Sequence, residues 1–192
     1  MFGISKDRIL FPDKNYTITH AIITPNYNYF TTHNNIKILE VLRNSLLERI
    51  DILSGSSRKY IKRVHSRVVT NSEEVESLLK KFEFETIIPE DHSVKEQFSL
   101  MTNVDFSVMP HGANAALILT QKKRSNFMEF FSSAYIVYHT IGIQQLLNLK
   151  YLPLVEARNI PPIIKNHHNG QFCNIEVPIK QLEVFLSNAL LH

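Results

Sequence analysis

Apolar residues recur along the chain with two spacings, and from residue 58 onward these spacings alternate. Short apolar runs are typical of buried strands, whereas apolar residues three or four positions apart are typical of helices. The pattern predicts strands at 58–64, 85–88, 104–109, 126–130 and 151–156, and helices at 72–81, 94–101, 113–120, 134–149 and 179–191. Strands that alternate with helices over short loops predict a Rossmann-like α/β fold, with a parallel sheet and helices on both of its faces.

The chain before residue 58 has a different pattern. Two short strand-like runs occupy residues 8–11 and 16–24, and a helical spacing covers residues 34–50. A serine-rich loop then leads into the alternating region. We therefore expect residues 1–57 to form a partial unit or to pack onto the main domain, which comprises residues 58–192.

Two of the predicted helices begin with the signature of a capping box, in which a hydroxyl and a carboxylate satisfy backbone N–H groups reciprocally. One box pairs Thr70 with Glu73, and the other pairs Ser93 with Glu96. Both helices should therefore start at these positions.

The composition is that of an ordinary globular protein, with 44% hydrophobic residues, 20% charged residues and a formal net charge of +3. The charge is small and dispersed, which does not favour nucleic-acid binding. Cys173 is the only cysteine, which excludes an internal disulfide and a thiolate zinc site. His167 and His168 lie in an Asn-rich stretch without partners at zinc spacing, and we expect them to be exposed to solvent.

Several features that would indicate other functions are missing. The N-terminus has no secretory apolar region and no stretch is apolar enough for a transmembrane segment, so we expect a cytoplasmic location, at most peripheral to a membrane. No Gly-x-Gly-x-x-Gly motif follows a strand, no phosphate-binding loop ends in Gly-Lys-Ser/Thr, and no Asp-x-Asp motif could hold a metal-bound diphosphate. Dehydrogenase and kinase functions therefore lose support.

The predicted strand 104–109 leads into His111, Gly112 and Ala113, at the edge of the sheet where ligands bind in such folds. Gly112 and Ala113 are small enough to let the backbone approach a ligand, and the amides at a helix start can receive a diphosphate. The alternative is an ordinary strand-to-helix turn with a hydrogen-bonded histidine.

Three charged side chains lie near other predicted strand ends. Glu129 closes the strand 126–130, where its carboxylate could accept hydrogen bonds from two ribose hydroxyls or pair with a nearby Lys or Arg. Arg63 and Arg67 lie at and just beyond the end of the strand 58–64, where a guanidinium could bind phosphate oxygens through two hydrogen bonds. Solvated surface arginines are the alternative.

In their order along the chain, these segments resemble the sequence pattern of glycosyltransferase family 61. The resemblance is strong from about Tyr60 to Phe131, weaker toward the C-terminus and uninformative before Tyr60. Its main segments are Tyr60-Ile61-Lys62-Arg63, Arg67-Val68-Val69-Thr70-Asn71-Ser72-Glu73-Glu74-Val75, Ser93-Val94-Lys95-Glu96-Gln97, His111-Gly112-Ala113 and Asn126-Phe127-Met128-Glu129-Phe130.

The resemblance implies the C-terminal, donor-binding half of a GT-B-type enzyme. Such an enzyme transfers a sugar from a nucleotide sugar, usually a UDP-sugar, to a glycan or protein hydroxyl with inversion, in polysaccharide biosynthesis for example. The reaction normally needs neither a metal nor another cofactor. Residues 58–192 would bind the nucleotide sugar, and the acceptor would bind to a separate domain or chain, because about 57 preceding residues are too few for a second full domain.

The resemblance also implies roles for single residues. His111 is the expected catalytic group. It would face the diphosphate together with Arg63 and with the amides of Gly112 and Ala113, while Glu129 would face the ribose. The other expected substrate-binding residues are Arg67, Ser93 and Gln97, the last two as supports of the neighbouring loop.

One segment departs from the family pattern. Where the family commonly continues His-Gly-Ala with Gly-Leu-x-Asn, this chain has Asn114-Ala115-Ala116-Leu117. The lost glycine and asparagine could weaken or alter donor binding. The alternative function is therefore a non-catalytic, degenerate module that binds a nucleotide sugar or another protein.

Overall fold

The computed structural model describes residues 33–137, 139–156 and 173–191. Its strands are β1 (Arg58–Ile61), β2 (Glu85–Ile87), β3 (Phe106–Pro110), β4 (Asn126–Phe131) and β5 (Lys150–Val155). Its helices are α1 (His33–Leu47), α2 (Ser72–Lys81), α3 (Val94–Leu100), α4 (Ile141–Leu147) and α5 (Ile179–Leu190), with 3-10 helices at Pro89–Asp91 and Ala113–Thr120. The strands predicted at 8–11 and 16–24, and the pair His167 and His168, lie outside the described residues.

The five strands form one parallel sheet in the order β2-β1-β3-β4-β5. β1 pairs with β2 on one side and with β3 on the other. The chain therefore adds β2 at one side of β1 and then crosses back to add β3 at the opposite side. Such a reversal leaves a crevice beyond the carboxyl ends of the two strands, and ligands bind there in open parallel sheets. The predicted Rossmann-like α/β fold is confirmed.

Apolar side chains of the strands divide between two cores, because successive side chains of a strand point to opposite faces of the sheet. On one face, Tyr60 and Phe130 pack in a core that includes α2 and α5. On the other face, Ile61 and Met109 pack in a core that includes the 3-10 helix Ala113–Thr120. Helices therefore cover both faces, as predicted.

Helix α1 lies on the second face, where it contacts α4 and the 3-10 helix Ala113–Thr120. Its Leu46 is buried, and Nη1 of Arg43 donates to the carbonyl of Leu119. Residues 33–47 are thus packed onto the sheet domain. Among the helices in the three described ranges, none combines the length and hydropathy that a membrane crossing would require.

Most predicted elements have the expected type, and α2 covers the predicted residues 72–81. The strand predicted at 58–64 is shorter and ends at Ile61, so Arg63 lies in the following loop. The helix predicted at 113–120 is a 3-10 helix. Its tighter winding begins with the N–H of Ala115 donating to the Gly112 carbonyl.

The long helix predicted at 134–149 is wrong in its first half, because α4 begins only at Ile141. The described residues between β4 and α4 form a loop instead. The hydroxyl of Ser132 and the N–H of Ser133 both donate to Glu156 and hold the start of this loop against the end of β5. A tertiary contact thus overrides the helical spacing.

The capping box predicted for Thr70 and Glu73 does not form, and no side chain caps α2. Thr70 is used differently, because its N–H and its hydroxyl both donate to the carbonyl of Ile175 in the C-terminal segment. The box of Ser93 and Glu96 is present at the start of α3, as predicted.

Candidate functional site

The crevice between β1 and β3 is formed by two segments, one following each strand. Arg63 and Arg67 lie in the loop after β1, and His111 and Gly112 follow β3. A Cβ placed on Gly112 would lie 2.0 Å from Nη1 of Arg63 and 3.3 Å from Cζ of Arg67. Both guanidinium groups therefore lie against the Gly112 backbone, and a side chain at this position would displace Arg63.

The two arginines contain buried N–H groups that no described residue accepts. Nε of Arg63 donates to the carbonyl of Ser66 at 2.8 Å, and Nη2 donates to the Ser66 hydroxyl at 3.0 Å. Nη1 of Arg63 and Nε of Arg67 are buried without a hydrogen-bond partner in the described part of the chain. Such orphaned donors in adjacent guanidinium groups are suited to a polyanion.

Charge repulsion between Arg63 and Arg67 also favours binding of an anion. Burial, and next the positive charge of Arg67, lower the pKa of Arg63, an effect that Glu90 opposes. Arginine nevertheless stays charged in proteins. An anion bound between the two side chains would relieve the repulsion.

A cavity of about 380 Å³ lies on one side of the arginine pair. Its wall includes Arg67, the backbone of Gly112 and Ala113, and the rings of Tyr135 and His139. This volume falls within the range of small-ligand pockets, about 300–1,000 Å³.

A second cavity, of about 260 Å³, is lined by the other arginine of the pair and by residues from the end of β1 to the start of α2. Arg63, Tyr60 and Ser72 line it. Tyr60 is fully buried, and its hydroxyl has no hydrogen-bond partner among the described residues. Burial and the nearby Glu76 raise the pKa of Tyr60, so its phenol remains a hydrogen-bond donor.

Strands β4 and β5 hold the ring of His111 in place. Its Nδ1 lies 2.6 Å from Oε1 of Glu129, and the hydroxyl of Tyr151 donates to Oε2 of the same carboxylate at 2.9 Å. His111 is 2% exposed and Glu129 is 1% exposed. The imidazole and the carboxyl group thus share one buried hydrogen bond. Nε2 of His111 is buried without a partner in the described ranges.

The loop after β4 closes one side of the larger cavity. Anchored by the contact of Ser132 with Glu156, the chain passes back over His111. The ring centroids of Tyr135 and His139 lie 5.7 Å and 5.5 Å from that of His111, and His139 stacks on it at an interplanar angle of 22°. The larger cavity therefore has an aromatic wall of three rings.

Ser93 and Gln97 belong to α3 and do not line either cavity. Ser93 caps the helix, and Nε2 of Gln97 donates to the carbonyls of Pro89 at 2.8 Å and His92 at 3.0 Å. Both side chains thus stabilise the turn before α3. Their contact with a substrate remains a prediction.

The structure brings together Arg63, Arg67 and Gly112, and it places His111 and Ala113 in the wall of the adjoining cavity. Neither Arg63 nor Glu129 lines that cavity. The five residues predicted to meet the donor phosphates therefore lie close together. Four of them line the larger cavity, and Arg63 lines the smaller one.

Glu129 requires a correction. It does not end its strand, because β4 continues to Phe131, and its partners are His111 and Tyr151 rather than a Lys or Arg. Each of its oxygens contacts a protein group behind the cavity wall. The geometry favours a carboxylate that orients His111 over one that is open to a ribose.

Three residues around His111 were not predicted: Tyr135, His139 and Tyr151. Tyr151 carried a weak signal, because it is a polar aromatic residue in a predicted strand. Tyr135 and His139 were concealed by the helical spacing of their segment. No group of three His, Cys, Asp or Glu side chains in the described residues could hold a metal ion.

Comparison with known families agrees with this architecture. The family model described as Glycosyltransferase 61 matches residues 8–128, which is more than half of the 192-residue chain. The match includes the arginine pair and the segment after β3, and it extends over residues before Tyr60, where the resemblance was uninformative. A comparison with curated proteins gave no match. The chain belongs to glycosyltransferase family 61 and carries a glycosyltransferase domain.

Proposed function

We propose that this domain binds a nucleotide sugar, specifically a UDP-sugar, and transfers its sugar to a hydroxyl of a glycan or protein with inversion. One observation carries the proposal. Arg63 and Arg67 meet at Gly112 with buried N–H groups that no described residue accepts, and each arginine lines a different cavity.

The arginine pair matches the chemistry of a diphosphate. Phosphate oxygens accept charge-assisted hydrogen bonds, and planar guanidinium groups bind them through paired N–H donors. During transfer the bond between the anomeric carbon and the diphosphate breaks, so negative charge grows on the leaving group. Two cations already fixed beside that group stabilise the transition state more than the ground state.

The two cavities match the two ends of a nucleotide sugar. With the diphosphate at the arginines, the smaller cavity beside Tyr60 and Ser72 takes the nucleoside, since it offers hydroxyl groups and apolar walls. The larger cavity takes the sugar and has room for the approaching hydroxyl. A simple anion such as sulfate would use the arginines but neither cavity.

Inversion requires the acceptor to approach from the side opposite the diphosphate, in one displacement. We infer that the acceptor is held by a separate domain or chain, as in GT-B enzymes, facing the open side of the larger cavity. The arginine pair would then neutralise the diphosphate without a divalent cation.

The test combines a binding screen with a turnover assay on the 192-residue chain. Thermal unfolding is followed with UDP, GDP, CDP and inorganic pyrophosphate, and UDP release is followed with UDP-sugars. We expect UDP to raise the melting temperature most and UDP-sugars to be hydrolysed slowly in the absence of an acceptor. Binding without any turnover would favour the non-catalytic module, and no stabilisation by any nucleotide would refute donor binding.

A further inference from the structure

Two imidazole rings line the larger cavity, and they differ in accessibility. His111 is 2% exposed, with Nδ1 held by Glu129 and Nε2 buried. Phe131 stacks on it with a centroid distance of 4.8 Å. His139 is exposed and stacks on His111 from the cavity side at 5.5 Å.

This arrangement decides which ring can touch a substrate. A general base must come within hydrogen-bond distance of the proton that it removes. His139 meets that condition more readily than His111, because its ring is exposed in the cavity wall, whereas His111 is 2% exposed and its Nδ1 is bonded to Glu129. In this arrangement His111, fixed by Glu129, acts as a positioning residue that presents a flat surface on which the His139 ring stacks.

The other titratable groups in the cavity wall are poor proton acceptors. The guanidinium of Arg67 has only hydrogen-bond donors, and the phenol oxygen of Tyr135 is a weaker base than an imidazole nitrogen. Burial first, and then His111 and Arg67, lower the pKa of His139, while Glu129 opposes the shift. The His139 imidazole is therefore neutral at pH 7 and able to accept a proton.

We propose that His139 is the general base of the transfer reaction, an inference that rests on the proposed function. The oxygen of the acceptor hydroxyl forms a bond to the anomeric carbon, and its proton passes to a ring nitrogen of His139. The bond from the anomeric carbon to the diphosphate oxygen breaks, and its electron pair leaves with the nucleoside diphosphate beside Arg63 and Arg67. The imidazolium then releases its proton to water.

The experiment compares the wild-type chain with His139→Ala. UDP release is measured with a panel of UDP-hexoses, UDP-pentoses and UDP-N-acetylhexosamines, with water or soluble oligosaccharides as acceptors. UDP affinity is measured by calorimetry. His92→Ala, which changes a histidine outside the cavity lining, is the matched control.

We expect His139→Ala to lower kcat by about 100-fold or more, the usual effect of losing a general base, while UDP affinity stays unchanged. Added free imidazole should restore part of the activity, which it would not do for a merely structural defect. Wild-type activity should fall as the pH drops below the pKa of His139, which lies under its ordinary value of 6.5, and the variant should lack this acidic limb.

Equal kcat values for wild type and His139→Ala would overturn the assignment, and so would a loss that imidazole does not restore. A chain that binds UDP but releases no UDP from any donor would also overturn it, because the base would then lie elsewhere. Absence of nucleotide binding is a different result, which refutes the proposed function itself.

Discussion

Nδ1 of His111 lies 2.6 Å from Oε1 of Glu129, and the two side chains are 3% and 1% exposed. The pair connects the end of β3 to the middle of β4. The same contact fixes His111, which is part of the wall of the larger cavity. Tyr151 completes the contact from β5. Three neighbouring strands thus hold a single ring.

Removal of one partner of this pair should destabilise the fold. We expect His111→Ala to lower the free energy of unfolding by about 3–5 kcal/mol, because it leaves a buried carboxylate with one donor fewer. Urea unfolding followed by circular dichroism measures the change. The double variant with His111→Phe and Glu129→Leu removes both polar groups and should recover most of the loss. A single variant as stable as the wild type would contradict the pairing.

Gly112→Ala tests the close approach of the arginines. The new Cβ would lie 2.0 Å from Nη1 of Arg63, so the guanidinium must move away from its present position. We expect UDP affinity to fall by about tenfold or more, the equivalent of one charged hydrogen bond of about 1.5 kcal/mol. Gly55→Ala is the matched control, since its nearest neighbour would be 3.6 Å away. Unchanged calorimetric affinity for UDP in Gly112→Ala would count against the site.

The substitution Ser93→Ala distinguishes a structural role of this residue from a substrate-binding role. Its hydroxyl accepts from the N–H of Glu96 at the start of α3, and loss of such a cap costs about 1 kcal/mol. Ser93→Ala should therefore lower the free energy of unfolding by that amount and leave UDP affinity unchanged. Ser77→Ala, at an exposed position inside α2, should cost nothing. A loss of affinity without a loss of stability would instead support direct contact with the substrate.

The sequence was informative where local pattern and chain order decide the structure. Apolar strands alternating with helices predicted the sheet. The approach of a ligand to the backbone at Gly112 stays a prediction, and in the structure two arginine side chains lie against that backbone. Arg63, Arg67 and His111 follow strands that turn out to be neighbours, so parallel pairing alone brings them to one edge of the sheet.

Register and loop packing were not predictable in this way. Glu129 lies level with Met109 through the pairing of β3 and β4, which places its carboxylate under His111 instead of at the crevice. His139 lies in the cavity wall because the segment after β4 is a loop and not a helix, and the contact of Ser132 with Glu156, between residues far apart in the chain, holds the start of that loop. Neither spacing nor composition encodes such tertiary contacts.

We propose that Arg63 and Arg67 bind the diphosphate of a nucleotide sugar. Isothermal titration of the 192-residue chain with UDP measures this binding, with Arg63→Ala, Arg67→Ala and the matched control Arg58→Ala. Arg58 pairs with Glu83 at the opposite end of β1. We expect each site variant to weaken binding by about tenfold or more, since a hydrogen bond to a charged group contributes about 1.5–3 kcal/mol, and the Arg58 variant to bind as the wild type does. Equal affinities for all four proteins, or no binding by the wild type, would contradict the claim.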